Sequence, residues 1–271
     1  MTRKDLIEII KKKQSLLCVG LDTDINKIPD FLKREFDNPV LEFNRRIIKA
    51  TAGLAVAFKI NTAFYESQGE EGWKNLILTI DMIPKDTFII ADAKRADIGN
   101  TSRMYAKAFF EKMKADAITI APYMGRDSVK PFFDYKNKWI IILALTSNIG
   151  SKDFQYLTVD DKGTKLYEKV LKTSSKWGDI DNTMFVVGAT HPEDFKNIRK
   201  IVPDHFLLVP GIGAQGGDLE QVLKKGLNSD YGLLINSSRG IIYASSDEEF
   251  DLAAKGKALE LVNNIRKIIK F

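Results

Sequence analysis

Eight short apolar runs, rich in β-branched residues, recur along this chain, and an amphipathic segment follows each of them. The runs are LLCVGLD (16–22), AVAFKIN (55–61), TFIIADAK (87–94), AITIAP (117–122), WIIILALT (139–146), TMFVVGAT (183–190), HFLLVPGIG (205–213) and YGLLINSSR (231–239). Most are uninterrupted rather than alternating, the pattern of parallel strands covered on both faces. The segments between them carry helical spacing. Val40, Phe43 and Ile47 share one face, as do Leu261, Val262, Ile265, Ile268 and Ile269. Eight β–α units in 271 residues imply a single (β/α)8 TIM barrel of eight parallel strands, one domain over 1–271, with its site at the C-terminal strand ends. A doubly wound open sheet is the competing architecture. The longest connection without clear periodicity, 147–165, has the length of a lid.

Composition narrows the function. The single cysteine, Cys18, lies inside an apolar run, so it reads as a small buried hydrophobe and offers no disulfide or CxxC chemistry. The longest apolar run, WIIILAL, is too short to span a bilayer, and the charged N-terminal segment has no signal-peptide core. The expected compartment is the cytoplasm, with no membrane partner. A net charge of +5, from 41 Lys and Arg against 36 Asp and Glu, suits an anionic ligand. The lysines are scattered without interleaved aromatics, which disfavours nucleic acid. The run Lys11–Lys13 reads as a solvated helix face.

In a barrel of this kind chemistry gathers where the strands emerge. Those ends carry Asp22 on the first run, Lys59 and Asn61 on the second, and Asp92 and Lys94 on the third. Thr146, Ser147 and Asn148 close the fifth, PGIGAQGG the seventh and NSSRG the eighth. Period two puts Asp92 and Lys94 on the same side as Ile90. Loops after strands seven and eight are the recurrent phosphate site of these barrels. There the glycine-rich turn allows close backbone approach, Gln215 supplies an amide, and Arg239 a planar fork for phosphate oxygens. Gly211, Gly213 and Gly216 also satisfy GxGxxG, but the acidic residue a dinucleotide site needs is missing downstream.

The chemical end lacks imidazole machinery. There are two histidines, and His191 in ATHPEDF reads as a capping or solvent-facing group before a Pro-initiated helix. What remains is the alternation Lys59, Asp92, Lys94, Asp97. Held out of water, such an array stabilises charge that develops only in a transition state, and an ammonium can hand a proton to a nascent carbanion.

DAKRADIGNT resembles the DxKxxDI signature of the orotidine 5′-monophosphate decarboxylase family. The likeness runs along nearly the whole chain: LD on strand one, FKIN on strand two, PGIGAQGG and the strand-eight arginine. TSNIGSKDFQ and VGATHPEDF resemble the longer of that family's two broad groups, with Ile149 standing where proline is expected. The resemblance implies a homodimeric barrel that converts orotidine 5′-monophosphate to uridine 5′-monophosphate and carbon dioxide without a cofactor or metal. It implies that Asp22 and Lys59 hold the ribose hydroxyls, that Asp92 lies beside the departing carboxylate, and that Lys94 protonates C6. Asp97 and Thr101 would reach into the neighbouring subunit's site. Gln215 and Arg239 would grip the phosphate, and Ser147 would meet the pyrimidine, with Asn61 and Thr146 nearby. Two alternatives stand beside it. One is a magnesium-dependent sugar-phosphate aldolase or decarboxylase of the same superfamily, which carries an acid where this chain has Lys59. The other is a non-catalytic barrel that binds a phosphometabolite.

Overall fold

The computed structural model describes residues 1–212 and 217–271. Eight strands close into one barrel in sequence order, every neighbour parallel: β1 (Leu17–Gly20), β2 (Ala57–Asn61), β3 (Phe88–Arg95), β4 (Ala117–Ile120), β5 (Trp139–Leu145), β6 (Thr183–Val187), β7 (Phe206–Val209) and β8 (Leu233–Ser237). Each strand lies within one of the eight apolar runs, except that β3 runs one residue past its own, to Arg95. The open-sheet alternative is excluded, because β8 pairs back onto β1 through Leu17 and Ile235. Every residue of β1, β4, β6 and β7 is buried. These strands have side chains inside the barrel on one face and a helical coat on the other, so alternation has no purpose in them.

The helical coat follows the predicted faces. Val40, Phe43 and Ile47 are buried on the helix Pro39–Thr51, which starts at the Asn38 cap. Val262 and Ile265 are buried on Phe250–Ile268, while Ile269 falls just past that helix. Phe43, Phe250 and Tyr243 stack where the two helices meet the chain after β8.

The first helix, Arg3–Lys13, plugs the amino-terminal end of the barrel. Arg3 donates to the carbonyls of Ile180 and Asp204 at 2.7 Å each and pairs with Asp230 at 3.0 Å. All three residues lie just ahead of a strand: β6, β7 and β8. The N-terminal ammonium meets Asp116 and the Asn137 carbonyl, ahead of β4 and β5. One expectation fails here. Lys13 is not on a solvated face; its ammonium donates to the carbonyls of Ala52 and Ala55 and to the Thr87 hydroxyl, and burial lowers its pKa. Three acceptors beneath β2 and β3 draw it inward. With the lower end sealed, the opposite end is left for a ligand.

The connection 147–165 is more ordered than a free lid. It holds a short helix, Ser151–Phe154, and Thr158 bridges antiparallel to Lys165. Asp194 anchors it by accepting from the hydroxyls of Tyr156 (2.6 Å) and Tyr167 (3.1 Å). His191 stacks edge-on against Tyr156 rather than capping a helix, and the helix after it starts only at Phe195.

Candidate active site

A cavity of about 430 Å³ opens at the carboxyl ends of the strands. Its floor and one wall are charged: Asp22, Lys59, Asp92 and Lys94. The facing wall is apolar, built from Leu143 on β5, Val186 on β6 and Leu208 on β7, with Pro210 and Ile212 above. Arg239, Ser237 and Ser238 stand at the rim beside Asn61, Thr146, Ser147 and Asn148. A slot that is apolar on one side and ionic on the other suits a flat, polar ring with an anionic tail.

The ionic wall is built by register. Lys59 on β2 pairs in register with Ile90, and Asn61 with Asp92, so Lys59 starts two positions short of Asp92 along the pair and its long side chain closes the gap. The Lys59 ammonium lies 2.9 Å from Asp92 Oδ2 and 3.3 Å from Asp22 Oδ1. The Lys94 ammonium lies 2.6 Å from the other oxygen of Asp92, Oδ1. Asp92 is thus held between two cations, with Lys59 buried and Lys94 open to the cavity.

Electrostatics fix the charge states. Burial alone drives the Asp92 carboxyl upward, but Lys59 and Lys94 outweigh it and hold it far below the usual carboxylate range. Burial likewise pulls Lys59 down, and Asp92 with Asp22 reverses that, keeping the ammonium above the ordinary lysine value. Both groups stay ionised across the neutral range. The cysteine beneath them is inert, because burial pushes the Cys18 thiol up to about 12.

Strict strand alternation does not describe Lys94. Between Ala91 and Arg95 the β3–β4 register shifts, four residues of β3 spanning two of β4, Ile118 to Ile120. Lys94 sits in this bulge with left-handed backbone, φ 46°. Bulges of this kind re-aim side chains beside active sites. Ile90 and Asp92 do obey period two, both buried and inward.

The loop after β1 is supported from both sides. The Tyr243 hydroxyl donates to the Asp22 carbonyl (3.0 Å) and accepts from the Asp24 N–H (2.7 Å). The Tyr65 hydroxyl donates to the Leu21 carbonyl at 3.1 Å. Gly20 is required here because a Cβ would collide with Ser238, so close packing of β1 on the β8 loop brings Asp22 near Arg239. After β5, the Thr146 N–H donates to Gln155 Oε1 and the Gln155 amide donates back to the Thr146 hydroxyl, each at 2.8 Å.

At the phosphate end, Gln215 lies outside the described residues. The ends of that loop meet where the Gly217 N–H donates to the Gly211 carbonyl at 3.2 Å, and Gly211 takes the left-handed φ of 99° that suits glycine. Arg239 is exposed at the head of the turn Arg239–Ile242.

Eight of the eleven candidate residues line the cavity: Asp22, Lys59, Asn61, Asp92, Lys94, Thr146, Ser147 and Arg239 are in its walls, while Gln215 lies outside the described residues. Asp97 and Thr101 are not in the walls of this chain's cavity. Asp97 accepts from the Ile98 N–H at 2.8 Å, and Thr101 is exposed on the helix Gly99–Ala106. The sequence reading missed the apolar wall, along with Asn236, Thr119, Tyr243 and Gln155. Asn236 had a legible signal as the one amide in the run YGLLIN. It is buried, its Oδ1 has no hydrogen-bond partner among the described residues, and it lines the cavity.

Fold and cavity together define a (β/α)8 barrel that presents a carboxylate clamped between two ammonium groups at its mouth. The sequence profile of the orotidine 5′-phosphate decarboxylase / HUMPS family matches residues 15–254. The chain belongs to that family. An orotidine 5′-phosphate decarboxylase of Bacteroides fragilis is 56% identical over 100% of this chain and 99% of its own length. Among solved structures, the OMP decarboxylase of Leishmania donovani superposes with a TM-score of 0.84 at 38% identity, covering 99% of both chains. The UMP synthase of the same organism superposes with a TM-score of 0.85 at 39% identity. This chain covers 55% of that longer protein.

Proposed function

We propose that this protein decarboxylates orotidine 5′-monophosphate to uridine 5′-monophosphate and carbon dioxide, with Lys94 as the proton donor. The observation that carries the roles is the Lys59–Asp92–Lys94 cluster facing an apolar wall across one cavity. The family membership and the names of its full-length relatives support the reaction.

The pyrimidine lies in the slot, with Leu143, Val186 and Leu208 on its apolar side and Ser147 at its edge. Asp22 and Lys59 hold the ribose hydroxyls, with Asn61 and Thr146 near them. Arg239 and Gln215 bind the phosphate. Asp92 stands beside the C6 carboxylate, and the pair of negative charges favours departure of carbon dioxide. The electron pair left on C6 forms next to the Lys94 ammonium, whose proton completes the product. Such a carbanion has no resonance stabilisation, so the site must supply differential stabilisation on the order of 20 kcal/mol. Fixed charges in a dry cavity deliver that best, because they need no reorganisation during the reaction. Part of the binding energy of the remote phosphate is available to the same end. The reaction asks for no cofactor.

The chain works as one barrel domain over 1–271, as a homodimer in the cytoplasm, on a nucleotide rather than on nucleic acid. Among the described residues, no helix is long and apolar enough to cross a membrane. Support for a dimer with a shared site comes from the surface around Asp97 and Thr101: Ile98 and Met104 are each 53% exposed, and Tyr123 and Met124 are exposed on the turn after β4. Exposed apolar groups clustered around polar candidates suit an interface that completes the partner's site.

The test is a fall in orotidine monophosphate absorbance on adding purified protein with EDTA. Turnover that survives chelation supports this function. Turnover of a sugar phosphate only with added magnesium transfers the chain to the aldolase class, and tight nucleotide binding without turnover makes it a binding protein.

A further inference from the structure

Thr119 is the one hydroxyl residue of β4, fully buried behind the charged wall. Its hydroxyl donates to Asp92 Oδ1 at 3.0 Å. The same hydroxyl oxygen accepts the backbone N–H of Lys94 at 2.9 Å. Asp92 Oδ1 is also the atom that the Lys94 ammonium contacts at 2.6 Å. One side chain therefore grips both ends of Lys94, the main chain directly and the ammonium through Asp92.

The reason for this grip lies in the bulge. Where the β3–β4 register shifts between Ala91 and Arg95, the ladder does not run through Lys94. Its left-handed backbone is a conformation that a side-chain-bearing residue adopts only when its surroundings hold it there. The Thr119 hydroxyl supplies the acceptor that the neighbouring strand does not. Its proton goes to Asp92, filling a position on a carboxylate that must remain charged and unrotated between two cations. Valine has the same shape and could do neither.

We infer that Thr119 is a positioning residue, which sets the aim of the Lys94 ammonium and the rotamer of Asp92 without touching the substrate. The inference rests on the reading of Lys94 as proton donor. Its energetic signature is specific. Thr119 reaches the ribose-holding Lys59 only through Asp92 and bonds to no residue assigned to the phosphate, so product binding depends on it far less than the proton-delivering step does.

The experiment compares Thr119→Val and Thr119→Ser with the wild type, measuring kcat, KM, uridine monophosphate affinity and a crystal structure of the valine variant. Loss of hydrogen bonds to charged or strained groups lowers kcat by roughly ten- to hundredfold in Thr119→Val. KM and product affinity stay within about threefold, and Thr119→Ser recovers most of the rate. Lys94 leaves its left-handed backbone, or Asp92 its rotamer, in the valine structure. If valine prevents folding, Thr119→Ala carries the same comparison. A valine variant with wild-type kcat overturns the inference, as does a serine variant no faster than valine. So does a valine structure with Lys94 and Asp92 unmoved, and this outcome stands whether or not the wild type turns over orotidine monophosphate. Absence of wild-type turnover, by contrast, strikes the decarboxylase reading.

Discussion

Asp92 shows how much a single residue can depend on its neighbours. Alone and buried, its carboxyl would take up a proton; between Lys59 and Lys94 it remains an anion. The Lys94→Ala variant removes one of those cations and, on the reading above, the proton source. Its turnover should fall by at least about three orders of magnitude, the scale for losing a positioned acid, while the folded protein still binds uridine monophosphate. Calorimetric titration beside a carbon dioxide release assay checks this, and wild-type turnover would remove Lys94 from the chemistry. That Asp92 and Lys94 emerge at one strand end was legible, but the period-two spacing that put both on one side does not hold at Lys94. The bulge that presents Lys94 was not legible. It arises from the registry of β3 against β4, and residue spacing along one strand carries no record of that.

At the scale of elements, the connection after β5 is the least expected part. Its length suggests a lid, yet its second half is stapled down. The hydroxyls of Tyr156 and Tyr167 converge on Asp194, and Gln155 is tied to Thr146 at the cavity rim. Burial and the adjacent Asp194 carboxylate both keep the Tyr156 phenol protonated far beyond the physiological range. The first half carries the exposed side chains, with Ile149 92% exposed and Phe154 68%. In Asp194→Asn the charge-assisted bonds are lost. Amide hydrogen exchange at Leu157, Leu166 and Tyr167, whose N–H groups close this connection, should then quicken by roughly tenfold. Unchanged protection there would show that packing of the two tyrosine rings, not Asp194, anchors the segment. Helix positions fared better, because a face such as Val40, Phe43 and Ile47 is written in local spacing. Lys13 escaped that logic. Its three acceptors come from chain far away in sequence.

The whole molecule is sealed at one end and open at the other, and each end has its own test. At the sealed end His205 is buried against Phe185, and neither ring nitrogen has a hydrogen-bond partner among the described residues. Burial, then the charges of Arg3 and Arg199, push its pKa down to about 4, with Asp204 and Asp179 opposing. The unfolded chain takes up this proton near pH 6.5, the folded chain only near 4. Stability conferred by the neutral ring is therefore complete above pH 6.5 and drains away as the pH falls towards 4. His205→Leu should flatten this slope, seen as melting temperatures that converge with or overtake the wild type on acidification, by roughly 2–4 °C per kcal/mol of linkage. Parallel curves for the two proteins would exclude the histidine as the cause. At the open end, a site completed by Asp97 of a second copy predicts complementation. Mixing inactive Asp97→Ala and Lys94→Ala proteins should restore roughly a quarter of wild-type activity, since half the random dimers are hybrids with one intact site of two. No recovery after verified subunit exchange would make each cavity self-sufficient.

The sequence alone determined the barrel, its eight strands and the ring of polar residues where they emerge. Each of those follows from local rules: uninterrupted apolar runs, helical faces and the placement of charges at strand ends. Tertiary structure alone decided which charges meet. Lys59 and Asp92 are 33 positions apart and 2.9 Å from one another only because β2 and β3 pair in one register. Leu143, Val186, Leu208 and Thr119 look like ordinary core residues in the chain; barrel closure turns the first three into a wall and sets the fourth against the charge cluster. A side chain's hydrophobicity is local, but its neighbours across a barrel are fixed by the pairing of every strand with the next.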